Sequence, residues 1–231
     1  YMPIDQVPDG LTPLNISGTD LRNKLDLGEE LPEWFTYSEI EKELRKSIPE
    51  KTNRGFTIFF TGLSGSGKST LANALLTKFL EEGTRPVTLL DGDLVRQHLS
   101  SELGFSKDHR SINVKRIGYV ASEITKNRGI AICAPIAPYE SDRVFNKEQI
   151  SNYGGYIEVF VSTSLEVCEE RDSKGLYALA RKGVIKEFTG ISDPYEEPKN
   201  PDIIIDSSKE NPEILIEQII NKIKSLGYMN E

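Results

Sequence analysis

The sequence predicts an α/β fold: a five-stranded parallel sheet with helices on both faces, carrying a short N-terminal appendage. Three observations predict it. From Phe56 onward, β-rich apolar runs at 56–61, 87–90, 130–134, 156–161 and 202–205 alternate with stretches of helical character. These runs are short and continuously apolar, as strands buried on both faces of a parallel sheet are. The first run leads at once into a glycine-rich turn and then a helix, the order that puts a helix N-terminus at the carboxyl end of a strand.

Taken in order, residues 1–50 read differently from the rest. They hold five Lys/Arg against eleven Asp/Glu and the prolines Pro3, Pro8, Pro13, Pro32 and Pro49. Ser17-Gly-Thr-Asp20 predicts a capped helix through Leu27, and Tyr37-Ser38 starts another running to Lys46. Neither buries a core alone, so 1–50 is expected to be an appendage, a linker or the tail of another domain, with the main domain at 51–231. A first residue of Tyr1, not Met, suggests a fragment. In the main domain, Leu71, Leu75 and Phe79 recur every four residues before a Gly83 stop, which predicts a helix over 68–82. Further helices are expected at 92–101, 110–128, 141–151, 164–172, 176–182 and 211–226. Ligands of such sheets bind beyond the carboxyl ends of the strands. The functional reading therefore falls on 62–69, 91–96, 135–143, 162–164 and 206–208.

Gly62-Leu-Ser-Gly-Ser-Gly-Lys-Ser69 fits G-x-x-x-x-G-K-[ST], the phosphate loop of P-loop NTPases, between a strand and a helix. Gly62, Gly65 and Gly67 allow positive φ and close backbone approach to phosphate oxygens. The helix N-terminus and backbone N–H groups then face the anion. Lys68 is expected to reach the β/γ-phosphates and Ser69 to ligate Mg²⁺. The candidate ATP-binding residues are Gly62, Leu63, Ser64, Gly65, Ser66, Gly67, Lys68, Ser69 and Thr70.

Composition excludes several classes. No apolar run approaches the length of a membrane span, and no signal peptide is visible. Cys133 and Cys168 form no disulfide framework, read as core thiols and suit a reducing cytoplasm. With only His98 and His109, a histidine metal site has little material. A net charge of −8 disfavours nucleic acid. Segment 106–128 runs the other way, with Lys107, Arg110, Lys115, Arg116, Lys126 and Arg128 against Asp108 and Glu123. Two readings stay open for it: a solvated helix face, or a site for a second anionic ligand.

After the second strand, Asp91-Gly-Asp93 places two carboxylates around a glycine, with Arg96 one helical turn beyond Asp93. Carboxylates there suit Mg²⁺ or the proton of an attacking hydroxyl, because phosphoryl transfer asks mainly for placement and charge neutralisation. On spacing alone, an N-capping Asp with a surface Arg is equally good.

The motifs Asp91-Gly-Asp-Leu-Val-Arg96, Leu103-Gly-Phe-Ser106, Arg110-Ser-Ile-Asn113, Arg116-Ile-Gly118, Ile136-Ala-Pro-Tyr139 and Asp142-Arg143 follow one another in order. After them come Glu158-Val-Phe-Val161, Cys168-Glu-Glu-Arg-Asp172, Lys174-Gly-Leu-Tyr177, Phe188-Thr-Gly-Ile191 and Asp193-Pro-Tyr-Glu196. Together, over about residues 54–228, they resemble the adenylylsulfate (APS) kinase family. The resemblance implies transfer of the γ-phosphate of MgATP to the 3′-hydroxyl of adenosine 5′-phosphosulfate, making 3′-phosphoadenosine 5′-phosphosulfate (PAPS). It implies that Asp93 accepts or orients the 3′-hydroxyl proton and that Asp91 lies near the metal and phosphates. Arg96, Arg110, Asn113 and Ile136 would bind APS, and Phe105 and Phe188 would sandwich its adenine. Read without the family, those two aromatics are ordinary core candidates. Lys174 matches a lid lysine reaching the transferring phosphate, on a lid around 172–196 with Gly175 as its hinge.

One departure stands out. Where the family often reads Phe-Ile-Ser-Pro-Tyr, this chain has Pro135-Ile-Ala-Pro-Tyr139. Ala137 has no hydroxyl to phosphorylate, so direct transfer in a ternary complex is expected, and Pro135 alters one wall of the APS pocket. Ile16-Ser-Gly-Thr-Asp-Leu-Arg22 and Leu31-Pro-Glu-Trp-Phe35 resemble the C-terminus of ATP sulfurylase, which implies the kinase end of a bifunctional protein. The family also implies a homo-oligomer. Two rivals remain: a kinase for another small hydroxyl acceptor, and a non-catalytic domain that only binds PAPS. The intact phosphate loop speaks against the second.

Overall fold

The structure, a computed structural model, describes Pro8 and residues 14–230; Pro3 and Pro13 of the appendage lie outside the described residues. The chain divides into two compact units, Tyr1–Asn53 and Arg54–Glu231.

The first unit contains α1 (Gly18–Leu27) and α2 (Ser38–Ser47). Ser17 caps α1 by accepting from the Asp20 N–H at 3.0 Å, and Gly28 ends it at φ 72°. That is the left-handed stop in which only glycine is unstrained. Leu25 and Leu31 are buried, and the Arg45 guanidinium joins Glu41 at 2.7 Å.

The second unit is a five-stranded, all-parallel sheet in the order β2-β3-β1-β4-β5. Its strands are β1 (Phe56–Thr61), β2 (Val87–Asp91), β3 (Ile130–Ala134), β4 (Gly155–Val161) and β5 (Ile203–Ile205). The helices between and after them are α3 (Lys68–Glu82), α4 (Gly92–His98), α5 (Lys107–Lys126), α6 (Glu140–Ser151), α7 (Leu165–Arg171), α8 (Leu176–Arg181) and α9 (Pro212–Ser225). β1 is central and wholly buried, and its side chains alternate between two cores. Phe56, Ile58 and Phe60 join the cluster built with α3 and α9, while Phe59 joins the one built with α5. This two-sided burial is why the strand reads as continuously apolar.

Two boundaries depart furthest from expectation, by three residues each. α5 begins at Lys107, three residues earlier than the expected start at 110, because Ser106 caps it by accepting from the His109 N–H at 3.4 Å. α4 stops at His98, short of residue 101, and the chain turns there toward the Leu103 loop.

α5 and α6 approach closely at Gly118. A Cβ there would lie 2.0 Å from Asn146 Oδ1, and Asn146 is itself pinned by donating to the Val114 carbonyl at 3.0 Å. Gly118→Ala is therefore expected to destabilise the fold by about 1–3 kcal/mol, read as a lowered denaturation midpoint. An unchanged midpoint would mean the two helices separate freely.

Candidate active site

The carboxyl ends of β1, β2 and β3 open onto a cavity of about 1020 Å³, lined from Ser64 to Leu215 and including Lys68, Asp91, Asp93, Arg96 and Arg110. The loop after β1 forms one wall. Gly62, Gly65 and Gly67 have φ of 146°, 75° and 101°. A side chain at Gly62 would meet the Val161 carbonyl oxygen at 2.6 Å, and one at Gly67 the Ser207 hydroxyl at 2.8 Å. Both conformation and space therefore demand glycine.

Lys68 opens α3 and is buried, its ammonium donating to the Leu63 carbonyl at 2.6 Å. Burial lowers its pKa to about 8. Next to it, the Ser69 hydroxyl donates to Asp91 Oδ2 at 2.8 Å, while Asp91 Oδ1 accepts from the Asp93 N–H at 3.0 Å. Asp91 thus caps α4 and faces the phosphate loop at once, while Arg96, a surface residue in the capping reading, lines the cavity. Mg²⁺ keeps several waters and needs only one or two protein oxygens beside the phosphates. Ser69 and Asp91 supply two hard oxygens side by side and fit that demand. No cluster of three or more His, Cys, Asp or Glu fit for a metal occurs among the described residues.

The Asp93 carboxylate is exposed in the cavity and ion-paired with Lys174. Gly175, at φ 67°, follows that lysine and starts α8. Tyr177 ties this segment to the phosphate loop by donating its hydroxyl to the Ser64 carbonyl at 2.9 Å.

The opposite wall carries the other expected residues. The Arg96 guanidinium lies 4.5 Å above the Phe105 ring and donates to the Gly104 carbonyl at 2.9 Å. Phe105 is 62% exposed, so it is no core residue. Phe188 meets Tyr177 edge-on at 5.0 Å and lines the same cavity, as do Ile136 and Pro135. Asn113 is 4% exposed, and its Oδ1 has no partner among the described residues. A buried acceptor without a partner at a cavity wall is a place for a ligand donor.

The structure divides the basic segment between its two readings. Arg110 pairs with Asp193, Lys115 with Asp142, Arg116 with Glu102 and Lys126 with Glu123. Lys107 sits over the Tyr139 ring. Of the six cations, Arg110 alone lines the cavity.

The sequence marked 162–164 and 206–208 as functional segments but assigned no residue to the floor of the phosphate loop. Arg171 donates to Ser207 Oγ at 2.8 Å and to the Ser207 carbonyl at 3.0 Å, and Ser207 donates to the Ser66 carbonyl at 2.7 Å. Thr163 holds the same Ser66 carbonyl at 3.1 Å. The local signal is only that Thr163 and Ser207 fall two residues after β4 and β5; the partner Arg171 lies on α7.

A glycine-cradled lysine and serine facing the carboxylates of a second strand end, in a cavity large enough for a triphosphate and an acceptor, define a P-loop phosphotransferase. Comparison with known proteins narrows the class. The chain belongs to the adenylylsulphate kinase family, whose model matches residues 54–206. The sulfate adenylyltransferase of Aspergillus terreus is 49% identical over 231 residues, covering 100% of this chain and 40% of that protein. The chain thus spans about 40% of the length of the curated relatives it matches. Among solved structures, a hexameric APS kinase from Thiobacillus denitrificans superposes with a TM-score of 0.79 at 43% identity, covering 99% of this chain and 41% of that one. The Mycobacterium tuberculosis APS kinase CysC, solved with AMPPNP and APS, gives a TM-score of 0.71 at 38% identity over 74% of this chain and 98% of that one.

Proposed function

We propose that the chain transfers the γ-phosphate of ATP to the 3′-hydroxyl of APS, yielding PAPS and ADP. One observation carries the reading: within a single cavity, a phosphate loop at one end faces Phe105, Phe188, Arg110 and an unpartnered Asn113 at the other, with Asp93 lining it too. A triphosphate fits the first end and a flat adenosine bearing an oxyanion fits the second.

In this reading residues 62–70 cradle ATP, with Lys68 on the β/γ-phosphates. When bound through Ser69 and Asp91, Mg²⁺ would neutralise triphosphate charge. Arg96, Arg110, Asn113 and Ile136 hold APS while Phe105 and Phe188 stack on its adenine. Asp93 takes the proton of the 3′-hydroxyl as its oxygen bonds to the γ-phosphorus and the bond to the β–γ bridging oxygen breaks. Lys174 leaves its ion pair with Asp93 for the transferring phosphoryl group, where its charge counts in the transition state.

Ala137 offers no hydroxyl, so transfer is direct. Rapid-mix quench with labelled ATP is expected to give labelled PAPS with no phosphorylated protein on the reaction path; a kinetically competent phospho-enzyme would refute direct transfer. The function itself is tested by a steady-state assay with ATP, Mg²⁺ and APS that detects PAPS. Turnover of another hydroxyl acceptor with APS inert would overturn it.

We further infer that residues 1–50 are the end of an ATP sulfurylase domain in a longer polypeptide, a reading supported by the greater length of the sulfate adenylyltransferase relatives. A homo-oligomer is proposed by analogy with the hexameric relative. Cys133 and Cys168 are free and buried, which supports a reducing compartment such as the cytoplasm. No helix among the described residues is long and apolar enough to cross a membrane.

A further inference from the structure

The cation at the acceptor end of the cavity is held from behind. Arg110 has 10% of its side chain exposed, and one of its terminal nitrogens donates both to Thr189 Oγ1 at 2.9 Å and to Asp193 Oδ2 at 2.8 Å. Phe188 and Thr189 line the cavity, whereas Asp193 does not. Asp193 also closes the turn that carries Phe188. Its N–H donates to the Phe188 carbonyl at 3.0 Å, and its carbonyl accepts from Gly190 N–H at 2.8 Å. The Ser192 hydroxyl completes the turn by accepting from the Phe188 N–H at 2.8 Å.

A guanidinium is a planar fork whose donors point in fixed directions. Committing one terminal nitrogen to two acceptors fixes that plane, and an oxyanion would meet the remaining donors beside the Tyr139 hydroxyl, which also contacts the guanidinium. Asp193 has two opposed effects on an anionic ligand. Its charge partly cancels that of Arg110, which weakens attraction. Its geometry holds the fork and the aromatic in place before the ligand arrives, which removes an ordering cost from binding. Orientation wins here, because both side chains are largely buried (10% and 21% exposed) and the carboxylate stands on a turn already closed by main-chain bonds.

We propose that Asp193 is a positioning residue for the acceptor: its carboxylate sets the plane of the Arg110 guanidinium from a turn, closed by main-chain bonds, that also presents Phe188, and it touches no ligand itself. The proposal rests on the reading that Arg110 and Phe188 hold APS.

The test compares Asp193→Ala and Asp193→Asn in the chain as it stands, with KM measured separately for APS and ATP. Asp193→Ala is expected to raise KM for APS by about ten- to a hundredfold, the loss that follows from removing a charge-assisted hydrogen bond. KM for ATP should stay within about twofold and kcat within about threefold, a split that simple loss of structure does not produce. In Asp193→Asn the amide oxygen still accepts from Arg110, so part of the APS affinity should return. Adding Asp193→Ala to Arg110→Ala should cost less than it does alone, since part of the effect passes through the arginine. An unchanged or lowered KM for APS in Asp193→Ala would show that charge cancellation dominates and would overturn the proposal. So would a parallel rise in both KM values. If Asp193→Ala does not fold, Asp193→Asn decides, with a rise in KM for APS of about three- to tenfold expected. A wild-type chain making no PAPS from APS would instead overturn the functional reading, so the two failures are distinct.

Discussion

Asp93→Asn is expected to lower kcat for PAPS formation by about 10²- to 10⁴-fold while leaving APS binding nearly intact. Asparagine matches aspartate in shape, and the backbone at residue 93 is fixed independently, since its N–H is held by Asp91 Oδ1 at 3.0 Å. The start of α4 should therefore survive. What disappears is a carboxylate able to take a proton, together with its ion pair to Lys174. That pair is exposed on both sides, so losing it costs little stability. Loss of kcat with an unchanged dissociation constant for APS, measured by calorimetry, separates a proton acceptor from a binding residue. Turnover within about threefold of wild type would remove Asp93 from the chemistry and leave it as a capped helix residue.

How much of this was legible in the sequence follows from the range of each interaction. The strands over 56–61 and 130–134 were readable to the residue, because burial on both faces leaves a local apolar run with turn signals at its ends. The phosphate loop was readable for the same reason. Its three positive-φ glycines and its lysine act within a single turn of chain, between β1 and α3.

The charged segment was not readable, because its meaning lies in partners far along the chain. Arg110 is a cavity residue held by Asp193, whereas Arg116 is spent on Glu102. Nothing in the local pattern separates the two. Arg143 makes the point more sharply. Its side chain is 1% exposed and donates to the Ala137 and Glu196 carbonyls, each at 2.7 Å, with Glu158 at 3.2 Å. These contacts hold the loop after β3 where Ala137 takes φ 46°, a strained conformation for a residue with a side chain. The departure at 135–137 was visible as composition, but the clamp that shapes it joins α6, β4 and the 195–197 segment. Tyr195 adds to the same device, its hydroxyl 2.9 Å from Thr61 Oγ1, which also donates to the Ile136 carbonyl at 2.7 Å. The acceptor wall and the root of the phosphate loop are thereby tied through one threonine.

Lys68→Ala is expected to lower kcat/KM by about 10²- to 10³-fold, the cost of removing one preorganised charge from a phosphoryl-transfer site. The ligand-free protein keeps that charge at a cost. Its ammonium is buried, with the Leu63 carbonyl as its near acceptor at 2.6 Å, and desolvation lowers its pKa from 10.5 to about 8. The sign of the stability effect follows. Between about 8 and 10.5 the unfolded chain still holds the proton that the folded chain has lost, so stability at Lys68 rises with pH across that window. Below about 8 both states are charged and the full penalty is present. Lys68→Met, which fills similar space without charge, should therefore be more stable than wild type at pH 7, with the gap closing as pH rises toward 10.5. A triphosphate reverses the balance by giving the ammonium an anionic partner. ATP binding above pH 8 should thus take up a proton in wild type and not in Lys68→Met, which calorimetry in buffers of different ionisation enthalpy detects directly. Equal proton uptake by the two proteins would mean that Lys68 does not meet the phosphates. Proton uptake in wild type alone, joined to the fall in kcat/KM, would tie the buried charge to the γ-phosphate it is held there to bind.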